Sequence, residues 1–376
     1  MKKQITLQIL DWAYKVNKDN FDTSPIVQFL QKHLGQKYDF KYSNRPQYLL
    51  YGPFGDSHLD YDESCVRIFC TGENLRTDWN LADYGIDYDL FDFGGGRHLH
   101  YPLYFYCQSD LKNALKKHLR CDSRGKFCAF VVSNGIADRI RGTFFDELSK
   151  YKRVDSGGAY KNNIGAPVGD KQSWLQNYKF NLCFENSAHN GYVTEKLIQA
   201  FAGGCIPIYW GDESLCNEKY AHIRPIFNEK AFINVHNFNN IQSAIREIQR
   251  IDSDENAYNA MRKEPIFTLE SMERFFGLNP KDDLWSSANI EHTAESIINH
   301  SESILANFFD NIFTKGKQIK YAQHISAYFA QRRMDRRNRA WQIWLRKNLW
   351  NLRCAILAPL KKMRDLWRKM RYCGRI

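Results

Sequence analysis

Between Tyr178 and Gly211 the sequence YKFNLCFENSAHNGYVTEKLIQAFAGGCIPIYWG changes its hydrophobic period twice. Phe180, Leu182 and Phe184 alternate with polar or small residues, which predicts a strand ending at Glu185. Leu197, Ile198 and Phe201 then fall on one side of a helix predicted from Thr194 to Phe201. Thr194 or an earlier loop residue is its candidate cap, and Gly203-Gly204 stands where a left-handed C-terminal turn belongs. Ile206 to Tyr209 follows as a short buried strand. A strand–helix–strand unit of this kind closes as a right-handed crossover in a parallel sheet. The Glu185–Lys196 loop must therefore lie beyond the carboxyl ends of the strands, where such sheets bind ligands. A helix start offers free amides and a partial positive charge to an anion, and Lys196 adds a full charge there. Asn186, Tyr192 and Glu195 bring a carboxamide, a phenol and a carboxylate to the same loop. This set suits a sugar nucleotide, with hydroxyls for the polar groups and a diphosphate for the cation. On the residues alone, a purely structural loop is an equally good account.

The ordered pattern FENS…YVTEK…A…GG.IPIYWG closely resembles the signature of the α-1,3/4-fucosyltransferases that use GDP-fucose, the bacterial members most of all. RIFCTGEN (Arg67–Asn74) and the following NLADYGIDYDLFDFGGGRHLHYPLYF resemble that family's acceptor-side segment. FVVSNGIADRIRGTFFDELSKY resembles the segment that opens its donor domain, and GGAYKNNIG and FINVHNF fall in the family's order. The first sixty residues and those beyond about 300 carry little of the likeness. The resemblance implies a GT-B architecture, two Rossmann-like domains facing a cleft. It also implies an inverting transfer of L-fucose from GDP-β-L-fucose to O-3 of GlcNAc in a β-galactosyl-GlcNAc glycan, giving Lewis-x-type structures, as on a lipopolysaccharide O-antigen. Transfer to O-4, a glucose acceptor and another nucleotide sugar stay open. So does a rival of another class, a membrane-docked binding protein with an inactive cleft.

The resemblance also assigns roles. Glu73, in TGEN at a strand end, is the candidate base for the acceptor hydroxyl. From spacing alone it is a surface residue in a turn. Arg141, in IRGTFFDEL, and Lys196 are the candidate diphosphate ligands. Arginine grips two phosphate oxygens, whereas lysine acts as a point charge. Arg139 is an alternative, and an exposed helix-start arginine is the structural account. Asn186, Tyr192 and Glu195 are expected to hold ribose and fucose hydroxyls, although Glu195 could instead pair with Lys196 or cap the helix. Asp87-Tyr88-Asp89 has the form of a metal-binding DxD, but it lies in the acceptor-side segment and is taken as structural. Fixed cations can replace a metal at the diphosphate, so no tightly bound metal is expected, with Mn²⁺ or Mg²⁺ at most stimulating. Gly94-Gly95-Gly96 lacks dinucleotide spacing. His189 and His236 have no ligand partners at useful spacing.

Strand and helix patterns alternate from ITLQIL onward. Ser24-Pro25 opens a helix that Gly35 stops, and YDFKYS, QYLLYG and VRIFCTG predict further strands. A second such run starts with FCAFVVS near Lys126. The polar, lysine-rich Ser109–Ser123 stretch is placed between them as the crossing. The expected division is residues 1–115 for the acceptor, 116–285 for the donor, a helical segment 286–330 packing back on the first domain, and a basic amphipathic helical tail, 331–376. Ten scattered cysteines form no CxxC and no zinc spacing, and all are expected to be reduced thiols.

The net charge of +11 belongs to the tail. Gln331 to Ile376 holds fifteen Lys/Arg against two Asp/Glu, a surplus of thirteen that leaves the rest of the chain two negative. Trp341, Trp344, Leu352, Ile356, Leu360, Met363, Trp367 and Met370 recur at helical spacing, with Pro359 expected to kink the helix. Such a helix suits an anionic membrane surface. A solvated or partner-docking helix and nucleic-acid binding are the other readings, and nucleic acid is the least favoured. The apolar run in MKKQITLQILDWAYK is too short for a signal peptide or membrane span. The expected location is the cytoplasm, at the inner face of the cytoplasmic membrane.

Overall fold

The computed structural model describes residues 2–61, 64–91, 94–119 and 124–318, with the isolated positions 331, 334, 335, 337 and 341. The basic tail thus lies almost entirely outside the described residues. In the first half, β1 (Lys3–Leu10), α1 (Pro25–Leu34), β2 (Tyr38–Tyr42), β3 (Tyr48–Tyr51), β4 (Val66–Cys70), β5 (Tyr84–Asp87) and β6 (His98–His100) build a sheet of order β2-β1-β3-β4-β5-β6. Every pairing in it is parallel. Parallel sheets are covered on both faces, and accordingly every residue of β3 and β5 is buried. Helix α1 starts at Pro25, as the sequence predicts, and buries Ile26, Val27, Leu30 and Leu34.

The polar stretch between the two sheets opens with a helix, α2 (Gln108–Leu115), that buries Leu111, Ala114 and Leu115. Three apolar positions in a short lysine-rich run are a weak helical signal, and tertiary packing supplies the stability. The second half continues with β7 (Lys126–Phe130), α3 (Arg139–Ser149), β8 (Val154–Ser156), α4 (Lys171–Leu175), β9 (Tyr178–Leu182), α5 (Glu195–Ala202), β10 (Ile206–Tyr209) and β11 (Ile233–Asn234). Its sheet has the order β11-β10-β9-β7-β8, again all parallel. The regular strand β9 stops at Leu182 rather than Glu185, yet the Cys183 and Glu185 amides still donate to Ile208 and Trp210 carbonyls at 3.0 and 2.9 Å.

Helices α6 (Ile241–Ser253), α7 (Glu255–Lys263) and α8 (Leu269–Arg274) lead to α9 (Ile290–Lys315). This last helix returns to the first sheet. Phe313 packs against Tyr38, Phe40 and Tyr48 with ring centroids 5.3, 5.6 and 5.0 Å apart. Asp310 accepts from Lys37 at 2.6 Å and Tyr38 at 2.8 Å.

In both sheets the strand order reverses beside the first strand, at β1/β3 and at β7/β9. Loops diverge at such a switch point and leave a crevice at the carboxyl ends. No helix among the described residues is long and apolar enough to cross a membrane.

Candidate active site

The crevice of the second sheet is a cavity of about 270 Å³. Glu73, Arg141, Asn186, Tyr192, Glu195 and Lys196, the six residues singled out in the sequence, all line it. Gly72 and Leu103 join Glu73 from the first domain; Ser133 and Asn134 come from the turn after β7.

The loop after β9 is organised by Glu185, whose side chain is fully buried. Its carboxylate accepts from the Thr194 amide at 2.8 Å, the Thr194 hydroxyl at 2.7 Å and Lys196 Nζ at 3.1 Å. Burial raises the Glu185 carboxyl, and Lys196 opposes it. Burial alone would lower Lys196, but Glu185 and Glu195 outweigh it and hold the ammonium above its ordinary value. Those two directions pull the pair opposite ways. Three donors converging on one carboxylate favour the ionised pair. Thr194 caps α5 as expected, its hydroxyl accepting from the Lys196 amide. Gly191 has φ +90, and a Cβ there would lie 2.1 Å from the Tyr88 carbonyl oxygen. Glycine alone lets this loop rest on the first domain.

Arg141 lies in the first turn of α3 and is 1% exposed, not the surface arginine of the alternative account. It shares the helical stripe of Phe144, Phe145 and Leu148, all buried. Its guanidinium donates to Asn186 Oδ1 at 2.7 Å, the Phe184 carbonyl at 3.0 Å and the Asn134 carbonyl at 3.3 Å, while Nε has no partner among the described residues. Burial lowers its pKa and Glu185 opposes the shift. Asn186 thus orients Arg141 as well as facing the cavity. Arg139 is exposed and lines an adjoining cavity of about 310 Å³, with Asn134, Arg141, Tyr160 and Lys161.

Tyr192 is buried edge-on to Tyr88, 5.6 Å between centroids, and burial raises its phenol. Glu195, first residue of α5, has its carboxylate 3.7 Å from Lys196 Nζ, so the pairing weighed from the sequence does occur. Glu73 is exposed in the turn after β4, its amide held by the Thr71 hydroxyl at 2.9 Å. Next to it, Asn74 donates to Ser187 Oγ at 2.5 Å, and Arg76 contacts His189 at 2.7 Å. These contacts lay the strand-end turn of one domain against the loop after β9 of the other.

Sequence reasoning missed two residues of this site, Glu185 as its organiser and Lys171. The Lys171 side chain lines the cavity and donates to Gln199 Oε1 at 2.8 Å. Burial lowers its pKa and Glu195 opposes that. Nothing in DKQSW distinguishes this lysine from a solvated one. Asp87 and Asp89 are engaged elsewhere. Asp87 accepts from His98 Nε2 at 2.7 Å and from Thr77, and Asp89 pairs with Arg76 at 3.1 Å. Among the described residues no three His, Cys, Asp or Glu side chains converge as a metal site. The seven described cysteines are free thiols; Cys121, Cys354 and Cys373 lie outside the described residues.

Residues 13–107 match the family model of the alpha-(1,3)-fucosyltransferase FucT N-terminal domain, and residues 121–263 that of the glycosyltransferase family 10 (fucosyltransferase) C-terminal part. The chain is 35% identical over 284 residues to the alpha-(1,3)-fucosyltransferase FucT of Helicobacter pylori, a match that covers 65% of this chain and 57% of that one. It is 31% identical over 138 residues to the human 4-galactosyl-N-acetylglucosaminide 3-alpha-L-fucosyltransferase 9, covering 36% of each. The chain therefore spans just over half of the bacterial relative and about a third of the human one. A crystal structure of an α1,3-fucosyltransferase with GDP-fucose superimposes with a TM-score of 0.58 at 31% identity, covering 78% of this chain and 91% of that one. These matches span both sheets and the cavity between them, and the chain belongs to the fucosyltransferases of glycosyltransferase family 10.

Proposed function

We propose that this protein is an inverting α-1,3-fucosyltransferase that moves L-fucose from GDP-β-L-fucose to O-3 of GlcNAc in N-acetyllactosamine-type glycans, including Lewis-x structures on lipopolysaccharide. One observation carries the reading. Six residues scattered from position 73 to 196, in both halves of the chain, line one cavity at a switch point. In this reading Lys196 and Arg141 take the diphosphate, beside the start of α5. Asn186, Tyr192 and Glu195 hold donor hydroxyls, and the guanine enters the adjoining cavity beside Tyr160. A Glu73 carboxylate oxygen accepts the proton of the acceptor O-3 hydroxyl. The freed electron pair forms the bond to C1 of fucose. The bond from C1 to the β-phosphate oxygen breaks on the opposite face, and its electron pair leaves with GDP. The configuration at C1 therefore inverts from β to α, through an oxocarbenium-like transition state. Negative charge grows on the diphosphate in this step, and the buried Arg141 with the partly buried Lys196 stabilise it before any solvent reorganises. Mn²⁺ or Mg²⁺ then has at most a stimulating role.

A radiolabelled GDP-fucose assay against N-acetyllactosamine, lacto-N-biose, lactose and free GlcNAc tests donor, acceptor and linkage together. Transfer to O-3 of N-acetyllactosamine with an α-anomeric product is expected. Transfer only to O-4 or only to lactose overturns the acceptor, and GDP binding no tighter than UDP overturns the donor. If Glu73→Ala and Lys196→Ala each lower transfer less than tenfold, the roles are wrong and an inactive cleft gains ground. Residues 331–376 are further proposed to dock the protein on the anionic inner face of the cytoplasmic membrane rather than on nucleic acid. Truncation before Gln331 should abolish binding to anionic liposomes and spare soluble catalysis; unchanged liposome binding refutes the docking.

A further inference from the structure

A second and larger cavity, about 630 Å³, opens beside the first and shares Gly72, Glu73 and Leu103 with it. It occupies the switch point of the first sheet, at the carboxyl ends of β1, β3 and β4. Trp12 and Tyr14 come from the first of these ends, Phe54 from the second and Glu73 from the third. Its walls are aromatic, with Tyr106 completing the set. Trp12 and Tyr14 meet edge to face at 5.7 Å. Glu73 is the one ionisable carboxylate or cation that lines it, among the described residues. Tyr14, Phe54 and Tyr106 stay 40%, 58% and 44% exposed at its rim. Leaving such apolar surface in water is unfavourable, and clustered exposed rings beside a polar site mark a binding surface.

Among the described residues this lining offers no cation to an anionic ligand, and its one carboxylate, Glu73, is engaged by the reacting hydroxyl in the proposed transfer. It suits a molecule with flat apolar CH faces and neutral hydroxyls, the description of a pyranose chain. Length follows from the sheet. Glu73 follows β4, whereas Tyr14 follows β1, and the ends of those two strands are about 10 Å apart across β3. A single sugar with its reacting hydroxyl at Glu73 does not span that distance.

We propose that this groove binds the acceptor glycan beyond the sugar that receives fucose, a neutral oligosaccharide whose neighbouring rings stack on Tyr14 and Phe54, so that the protein selects an extended chain. The inference rests on the proposed transfer reaction and adds the acceptor's length and the residues that sense it. The test is a series of neutral N-acetyllactosamine repeats of two, four and six sugars. In the unaltered protein KM should fall at least fivefold from the disaccharide to the tetrasaccharide. Tyr14→Ala with Phe54→Ala should bring that ratio to within twofold of one. Tyr14→Phe with Phe54→Trp, which keep the rings, should preserve it. Saturation-transfer NMR with the same series in the absence of donor should show the distal sugars saturated in the unaltered protein and not in the double alanine variant. Both substituted side chains are at the surface, and an unchanged thermal midpoint verifies folding. A chain-length ratio near one in the unaltered protein, or one that survives the double alanine variant, overturns the proposal. A wrong donor reads differently, as no transfer to any acceptor while the NMR contrast persists.

Discussion

Glu185→Gln isolates the charge that organises the ligand loop. The substitution keeps the shape of the buried side chain and removes its negative charge. Lys196, whose side chain is 14% exposed, then loses its 3.1 Å carboxylate partner. The Thr194 amide and hydroxyl both reach Oε1, at 2.8 and 3.0 Å, so with the amide nitrogen at Oε2 only the hydroxyl's shorter bond is lost. Removing one partner of a buried ion pair costs about 3–5 kcal/mol, and a hydrogen bond to a charged group contributes about 1.5–3. Here the ammonium keeps the Thr194 hydroxyl at 2.9 Å and opens onto the cavity, so the lower end applies, about 2–3 kcal/mol. For a domain of this size that corresponds to a drop of about 5–10 °C in the unfolding midpoint. The same argument fixes how GDP acts. If Lys196 takes the diphosphate as proposed, the Glu185 carboxylate competes with it in the unaltered protein, while in the variant the diphosphate restores a missing counter-charge. Saturating GDP should therefore raise the midpoint of Glu185→Gln more than that of the parent, because ligand that binds only the folded state stabilises in proportion to its affinity. Differential scanning fluorimetry with and without GDP reads both effects. A variant as stable as the parent, or one that GDP stabilises less, refutes the reasoning.

Lys171→Met should weaken GDP-fucose more than GDP, by at least fivefold in the ratio of dissociation constants, because Lys171 faces Glu195 rather than Arg141; calorimetry with the two ligands checks this. Gly191→Ala must place a side chain at φ +90 and 2.1 Å from the Tyr88 carbonyl, so it should lower transfer at least tenfold and shift the loop's amide resonances. Burial pulls the His98 pKa down, but Asp87 more than offsets it, and the folded value is raised above 6.5. This stabilisation is full below pH 6.5 and lost as pH rises through the folded value, so denaturant titrations should show stability falling above neutral pH, and Asp87→Asn should flatten that slope. Phe313→Ala empties the site between Tyr38, Phe40 and Tyr48 and should cost about 3–5 kcal/mol in urea unfolding.

The parts legible in the sequence are those whose physics is local. The strand–helix–strand around Lys196 follows from periodicity and caps within one short segment, and α5 begins one residue from its predicted start. Arg141 carries a usable signal in the sequence: it falls on the same helical stripe as Phe144, Phe145 and Leu148, which implies burial. Strand β5 is hard to read because its four residues are all buried without alternation, and β6 because it spans three residues with histidines rather than apolar side chains at the buried positions. Lys171 was illegible for a different reason. It reaches the cavity only because the two sheet crossovers bring α4 beside α5, and no property of its neighbours in sequence encodes that contact. The aromatic groove is likewise dispersed over Trp12, Phe54 and Tyr106, three ordinary residues until the parallel strands align their ends.

The central claim is positional: Arg141 and Lys196, at the second sheet's switch point, receive the pyrophosphate. A crystal structure of the protein soaked with GDP tests it most directly. The β-phosphate should lie within hydrogen-bonding distance of both Lys196 Nζ and the Arg141 guanidinium, with Glu73 facing it across the cleft. Density for the nucleotide outside this cavity, with Lys196 still held by Glu185 and Thr194, contradicts it.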